Sequence, residues 1–106
     1  MTLGELENAL SSTGIPVAYN VFRTPQEAPY ICYIVTGSDN VSADNAVWKQ
    51  AQNVQIELYT KVKDISVEKQ IEEVLQDASL FFQSDEAFLD DENVYMKTYT
   101  IQIIGG

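Results

Sequence analysis

The chain has no histidine, one cysteine, and six lysines and arginines against sixteen aspartates and glutamates. Each shortage excludes something. Without histidine, the usual base that activates a serine or cysteine nucleophile is missing. Cys32 has no second cysteine to pair with, so an internal disulfide is impossible. A reducing cytoplasm is the expected compartment. Too few cations remain to neutralise phosphates, so nucleic-acid binding is not expected at a formal net charge of −10. An anionic membrane surface is disfavoured for the same reason. No apolar run approaches the ~20 residues that span a bilayer. The opening Met1-Thr2-Leu3-Gly4-Glu5 lacks the cationic and apolar regions of a signal peptide.

What is present is a globular composition, 45% hydrophobic and 10% aromatic. A length of 106 residues fits one domain, 1–106. Thr2 to Thr13 reads as a helix, with Thr2 and Glu5 as a capping box and Leu3, Leu6 and Leu10 on one face. Gly14 and Pro16 stop it. Val17 to Arg23 reads as a strand, followed by a loop at Thr24–Pro29. Tyr30 to Val35 is apolar on both faces, the pattern of a strand covered on two sides. Gly37 to Asn45 is rich in glycine, asparagine and aspartate and reads as a polar loop.

A long strand is predicted from about Val47 to Thr60, with Val54, Ile56 and Leu58 pointing one way. A second helix follows from about Ser66 to Ser79, with Ser66 as its N-cap. Its apolar stripe is Val67, Ile71, Val74, Leu75 and Ala78, which leaves Glu68, Glu72, Glu73 and Asp77 on a solvated face. A strand starts at Leu80-Phe81-Phe82-Gln83, and the last runs from Val94 to Ile104. There Tyr95, Lys97, Tyr99, Ile101 and Ile103 share a face. The order α-β-β-β-α-β-β predicts an α+β fold: a mostly antiparallel sheet of four to five strands with both helices packed on it.

No residue pattern here encodes catalysis. Cys32, between Ile31 and Tyr33, reads as a small core residue. Ser66-Val67-Glu68-Lys69 matches a Ser-x-x-Lys pattern in letters, but its serine suits a helix cap. Ten of the sixteen acids lie between Asp64 and Glu92, where Lys69 is the lone cation. Asp85, Glu86, Asp90, Asp91 and Glu92 form a candidate acidic surface. They lack the alternating spacing and the glycine of a calcium loop, so no metal or cofactor is expected. Such a surface docks a basic partner or repels DNA from a passage. Ser38, Asp39, Asn40, Asp44, Asn45 and Trp48, in and beside the polar loop, are the candidate interaction residues.

The whole-chain layout resembles the tail terminator, or tail completion, proteins of siphophage-type bacteriophages and prophages, which are small acidic minor capsid or tail components. The resemblance rests on Leu6-Glu7-Asn8-Ala9-Leu10, Ser12-Thr13-Gly14-Ile15-Pro16-Val17-Ala18-Tyr19 and Pro29-Tyr30-Ile31-Cys32-Tyr33. It continues through Thr36-Gly37-Ser38-Asp39-Asn40, Ala43-Asp44-Asn45-Ala46-Val47-Trp48 and Val54-Gln55-Ile56-Glu57-Leu58-Tyr59-Thr60-Lys61. Val94-Tyr95-Met96-Lys97-Thr98-Tyr99 closes it. The resemblance implies a non-enzymatic part that forms a ring, commonly a hexamer. That ring caps the tail tube and joins it to the head through connector proteins, in the virion or, during assembly, in the host bacterial cytoplasm. Three alternatives stay open: a head–tail connector component, a non-viral acidic binding module such as an inhibitor or immunity-like protein, and a small carboxylate enzyme.

Overall fold

The computed structural model describes residues 1–43 and 47–104, with side chains except those of 39–50. The elements are α1 (Leu3–Ser11), β1 (Val17–Tyr19), β2 (Tyr30–Ala43), β3 (Val47–Thr60), α2 (Ile65–Asp77), β4 (Phe82–Leu89) and β5 (Val94–Ile104). The α+β class and the element order are those expected from the sequence. The sheet order is β1-β2-β3-β5-β4. β1 and β2 run parallel, and every other pairing is antiparallel.

Both helices cover one face. Leu6 and Leu10 of α1 and Ile71 and Leu75 of α2 meet Ile31, Tyr33, Val54, Ile56, Leu58, Tyr99, Ile101 and Ile103 in one core. The strict alternation in β3 and β5 produces this face, because side chains two apart point the same way. α1 begins as its sequence dictates. The Glu5 N–H donates to Thr2 Oγ1 at 3.1 Å, and the Thr2 N–H donates to Glu5 Oε1 at 3.1 Å.

Four sequence expectations are corrected. The N-cap of α2 is Asp64, not Ser66: the Val67 N–H donates to Asp64 Oδ1 at 3.2 Å. A carboxylate facing the positive end of a helix serves better than a hydroxyl two residues further in. The strand after Pro16 ends at Tyr19, because Asn20 turns the chain with φ 67°. The final hairpin's first strand starts at Phe82 rather than Leu80.

The largest difference concerns the polar loop. Gly37 to Ala43 continues β2, paired with β3 from Gly37↔Asn53 to Ala43↔Val47. Turn residues mark local preference, and a continuous ladder of backbone hydrogen bonds overrides it. The register shift between Val35 and Gly37 is the one local mark of the glycine.

Among the described residues, no helix covers the other face of the sheet. Segment 20–29 lies over its β2 end, where the Phe22 and Tyr30 rings meet edge to face at 5.6 Å. That segment supplies the second cover anticipated from the apolar run at Tyr30–Val35, and Cys32 beneath it is 5% exposed.

The end of α2 explains the chain's exit into β4. The Ser79 N–H donates to the Gln76 carbonyl at 2.9 Å and the Leu80 N–H to the Leu75 carbonyl at 2.9 Å. This is a Schellman closure with Ser79 at its left-handed position, φ 58°. The closure turns Leu80 back toward the core and leaves Phe81 pointing outward. Serine pays a steric penalty there that glycine does not. Ser79→Gly is therefore expected to stabilise the fold by about 0.5 kcal/mol. Thermal unfolding should show a melting temperature roughly 3 °C higher.

Candidate functional site

Three surfaces and one charge network account for the residues singled out above. The first surface is the β2–β3 ribbon. β5 ends at Ile104 opposite Ala51, and β1 ends at Tyr19 opposite Tyr33. Among the described residues, the two strands pair only with each other from Asp39 and Gln50 onward. Ser38, Asp39 and Asn40 stand on β2, and Trp48 stands on β3 opposite Ser42. Asp39, Asn40 and Trp48 are thus brought onto one projecting ribbon rather than a loop, and Ser38 stands at its root, opposite Gln52, which pairs with Ile103. Asp44 and Asn45 lie outside the described residues.

The second surface holds the acids. Asp85 and Glu86 are neighbours on β4 and therefore point to opposite faces, opposite Thr98 and Lys97 respectively. Asp90, Asp91 and Glu92 lie in the turn between β4 and β5. All five are exposed. They are distributed around one edge and one corner of the sheet, not gathered on one face. Glu86 is held by the Lys63 ammonium, whose hydrogen bond keeps its carboxyl below the usual 4.5.

The third surface is the helix-free sheet face. Tyr30 and Tyr59 stack with centroids 4.7 Å apart and planes at 20°. Glu57 beside them accepts from Tyr59 Oη at 2.9 Å and from Gln55 Nε2 at 3.1 Å. Together with Arg23, Cys32 and Glu92, the two tyrosines border a groove of about 480 Å³. Burial, then the Glu57 charge, pushes the Cys32 thiol above 9.0. Both effects disfavour a thiolate, which fits Cys32 as a core residue rather than a nucleophile. Its modification by Ellman's reagent at pH 8 should run at least ~100-fold slower in the native protein than in urea, because reaction waits for opening. Comparable rates would contradict this placement.

The charge network was not foreseen. Glu68 is 7% exposed rather than solvated. Its carboxylate meets Lys63 Nζ at 2.8 Å and Lys97 Nζ at 3.8 Å. Glu72, one turn later, accepts from Tyr99 Oη at 2.9 Å. The signal in the sequence is a lone lysine, Lys97, on the inward face of β5. A cation there requires an anion on the helix above it. Glu68 lies three residues before Ile71 and seven before Leu75, squarely on the buried side.

Among the described residues, no three of Cys, Asp and Glu converge to hold a metal ion. Likewise, no helix among them is long and apolar enough to cross a membrane.

No family model matches the chain, and no curated protein matches it. A solved structure does. The chain is similar to one chain in the virion of a native gene transfer agent particle, with a TM-score of 0.56 and 14% identity, over 91% of this chain and 84% of that one.

Proposed function

We propose that this protein is a structural component of a phage-like virion, and that its place is the head-proximal end of the tail, as a tail terminator. The observation that carries the reading is the likeness in fold to a chain of a gene transfer agent virion across 91% of the sequence. The resemblance of the sequence to tail terminators points the same way. The absence of histidine and the inert setting of Cys32 fit a part that works by shape.

A terminator ring closes through heterologous contacts, so each subunit offers two different patches. The projecting ribbon, with Asp39, Asn40 and Trp48 and with Ser38 at its root, is one such patch. The acidic edge at Asp85, Glu86 and Asp90–Glu92 keeps phosphate backbones from adhering where DNA passes. Self-assembly into a ring, commonly of six, and docking to tail tube and connector proteins complete the role. The fold requires no cofactor for it.

The test is deletion of the gene from a phage genome. Tails of irregular length that fail to join filled heads are expected. Tails of normal length that join heads would overturn the reading.

A further inference from the structure

The sheet ends in β1 on one side and β4 on the other, and the two edges differ. β1 is closed by brevity: three residues, then the left-handed turn at Asn20. β4 runs for eight residues, Phe82–Leu89, in unbroken register with β5. Among the described residues, no strand pairs with its outer side. It contains no proline, lysine or bulge, three common means of blunting an edge. Such a strand presents a row of backbone N–H and C=O groups to an incoming one.

The restraint that β4 does carry is charge, and it is selective. Asp85 and Glu86 stand at the middle of the strand. Antiparallel pairing of two β4 strands about their centres sets Asp85 opposite Glu86 of the other copy. A slip of one residue either way sets Asp85 or Glu86 opposite itself. Like charges directly opposite each other are destabilising. The other edge, Val17–Tyr19, offers no cation. Copies of this chain are therefore poor partners for β4. Lys63 already holds Glu86, whereas among the described residues no cation pairs with Asp85. Asp85 shares its face with Gln83 and Ala87, away from the helices. On the helix-covered face, Phe82 and Phe88 flank Glu86, and Phe88 is left 44% exposed.

We propose that β4 is a docking edge for an extended segment of a different protein, which adds a sixth strand to the five-stranded sheet. The edge dictates the chemistry of that segment. It brings a lysine or arginine opposite Asp85, and apolar residues opposite Phe82 and Phe88. The turn acids Asp90, Asp91 and Glu92 lie beyond the strand and stay in water, free to repel phosphates. Nothing in this docking depends on where in a virion the chain sits, so the gene-deletion test above and the test below fail separately.

The probe is the end-capped peptide Val-Thr-Thr-Lys-Thr-Thr-Val, whose order is the same from either end. It is titrated to about 1 mM into the isotope-labelled full chain and followed by NMR. Amide shifts should concentrate in residues 82–89, and hydrogen exchange there should slow. Asp85→Lys should weaken binding about fivefold, the scale of a cross-strand charge pair, and favour the same peptide with glutamate at its centre. Asp85 is exposed, so the remaining amide signals should hold their places, which separates lost docking from lost fold. Asp85→Thr combined with Glu86→Thr lifts the bar to self-pairing and should associate more strongly in sedimentation than the unaltered chain. Shifts outside β4, no shifts up to about 1 mM, or indifference of either peptide to Asp85→Lys would each overturn the proposal. So would a double variant that associates no more than the unaltered chain.

Discussion

Replacing Tyr99 with alanine is expected to lower the unfolding free energy by about 4 kcal/mol, within the range for large aromatic truncations in a core. Tyr99 is fully buried and is, among the described residues, the largest of the fully buried side chains. Its ring meets Phe82 edge to face at 5.4 Å, and its hydroxyl donates to Glu72 Oε2 at 2.9 Å. Domains of this size are stable by about 5–15 kcal/mol, so the variant approaches the limit of folding. Tyr99→Phe separates the two contributions. It keeps the ring and loses one hydrogen bond to a half-buried carboxylate that can turn toward water. A loss of about 1 kcal/mol is expected. Urea unfolding of both variants checks the pair: near-equal losses would mean that the hydroxyl, not the packed ring, dominates.

The same residue sets an alkaline limit. Burial, then the Glu72 hydrogen bond, pushes the Tyr99 hydroxyl well above 10.0. Burial and Glu7 push Tyr33 to about 12. The folded state therefore holds these protons more tightly than the unfolded chain does. Their stabilisation is full below pH 10 and drains away as pH rises through the folded values. Stability should fall steeply above pH 10, and less steeply in Tyr99→Phe.

The parts of the fold that were legible share one property: they depend on neighbours in sequence. The Thr2–Glu5 box, the alternation at Val54, Ile56 and Leu58, and the Ile71–Leu75 side of α2 all follow from local spacing. Gly37-Ser38-Asp39-Asn40 misled because turn chemistry is local, whereas the ladder to Ala51–Asn53 joins residues more than ten positions apart. The end of α2 near Ser79 was legible, but its left-handed closure was not, because Ser79 stands where glycine is usual. The candidate surfaces were picked out by composition, the polar residues near Trp48 and the acids from Asp85 to Glu92, and what they would contact came only from family resemblance. Recognition between subunits needs no fixed residue spacing, unlike a triad or a metal site, so nothing in the letters marks it.

Glu68 shows the same limit and supplies the second large effect. Glu68→Ala is expected to cost about 2–3 kcal/mol. Removing one partner of a buried pair strands the other charge, which accounts for more of the loss than the attraction itself. Lys97 is the charge stranded, with its side chain 20% exposed, while Lys63 retains Glu86 and water. Lys97→Met should cost less, because Glu68 keeps Lys63 at 2.8 Å. The double variant Glu68→Leu with Lys97→Met then fills the space between α2 and β5 with apolar groups and leaves Lys63 with Glu86 and water. It should be more stable than Glu68→Ala, recovering about 1–2 kcal/mol. A double variant no better than Glu68→Ala would show that the carboxylate holds α2 in register on the sheet, a role that packing cannot replace.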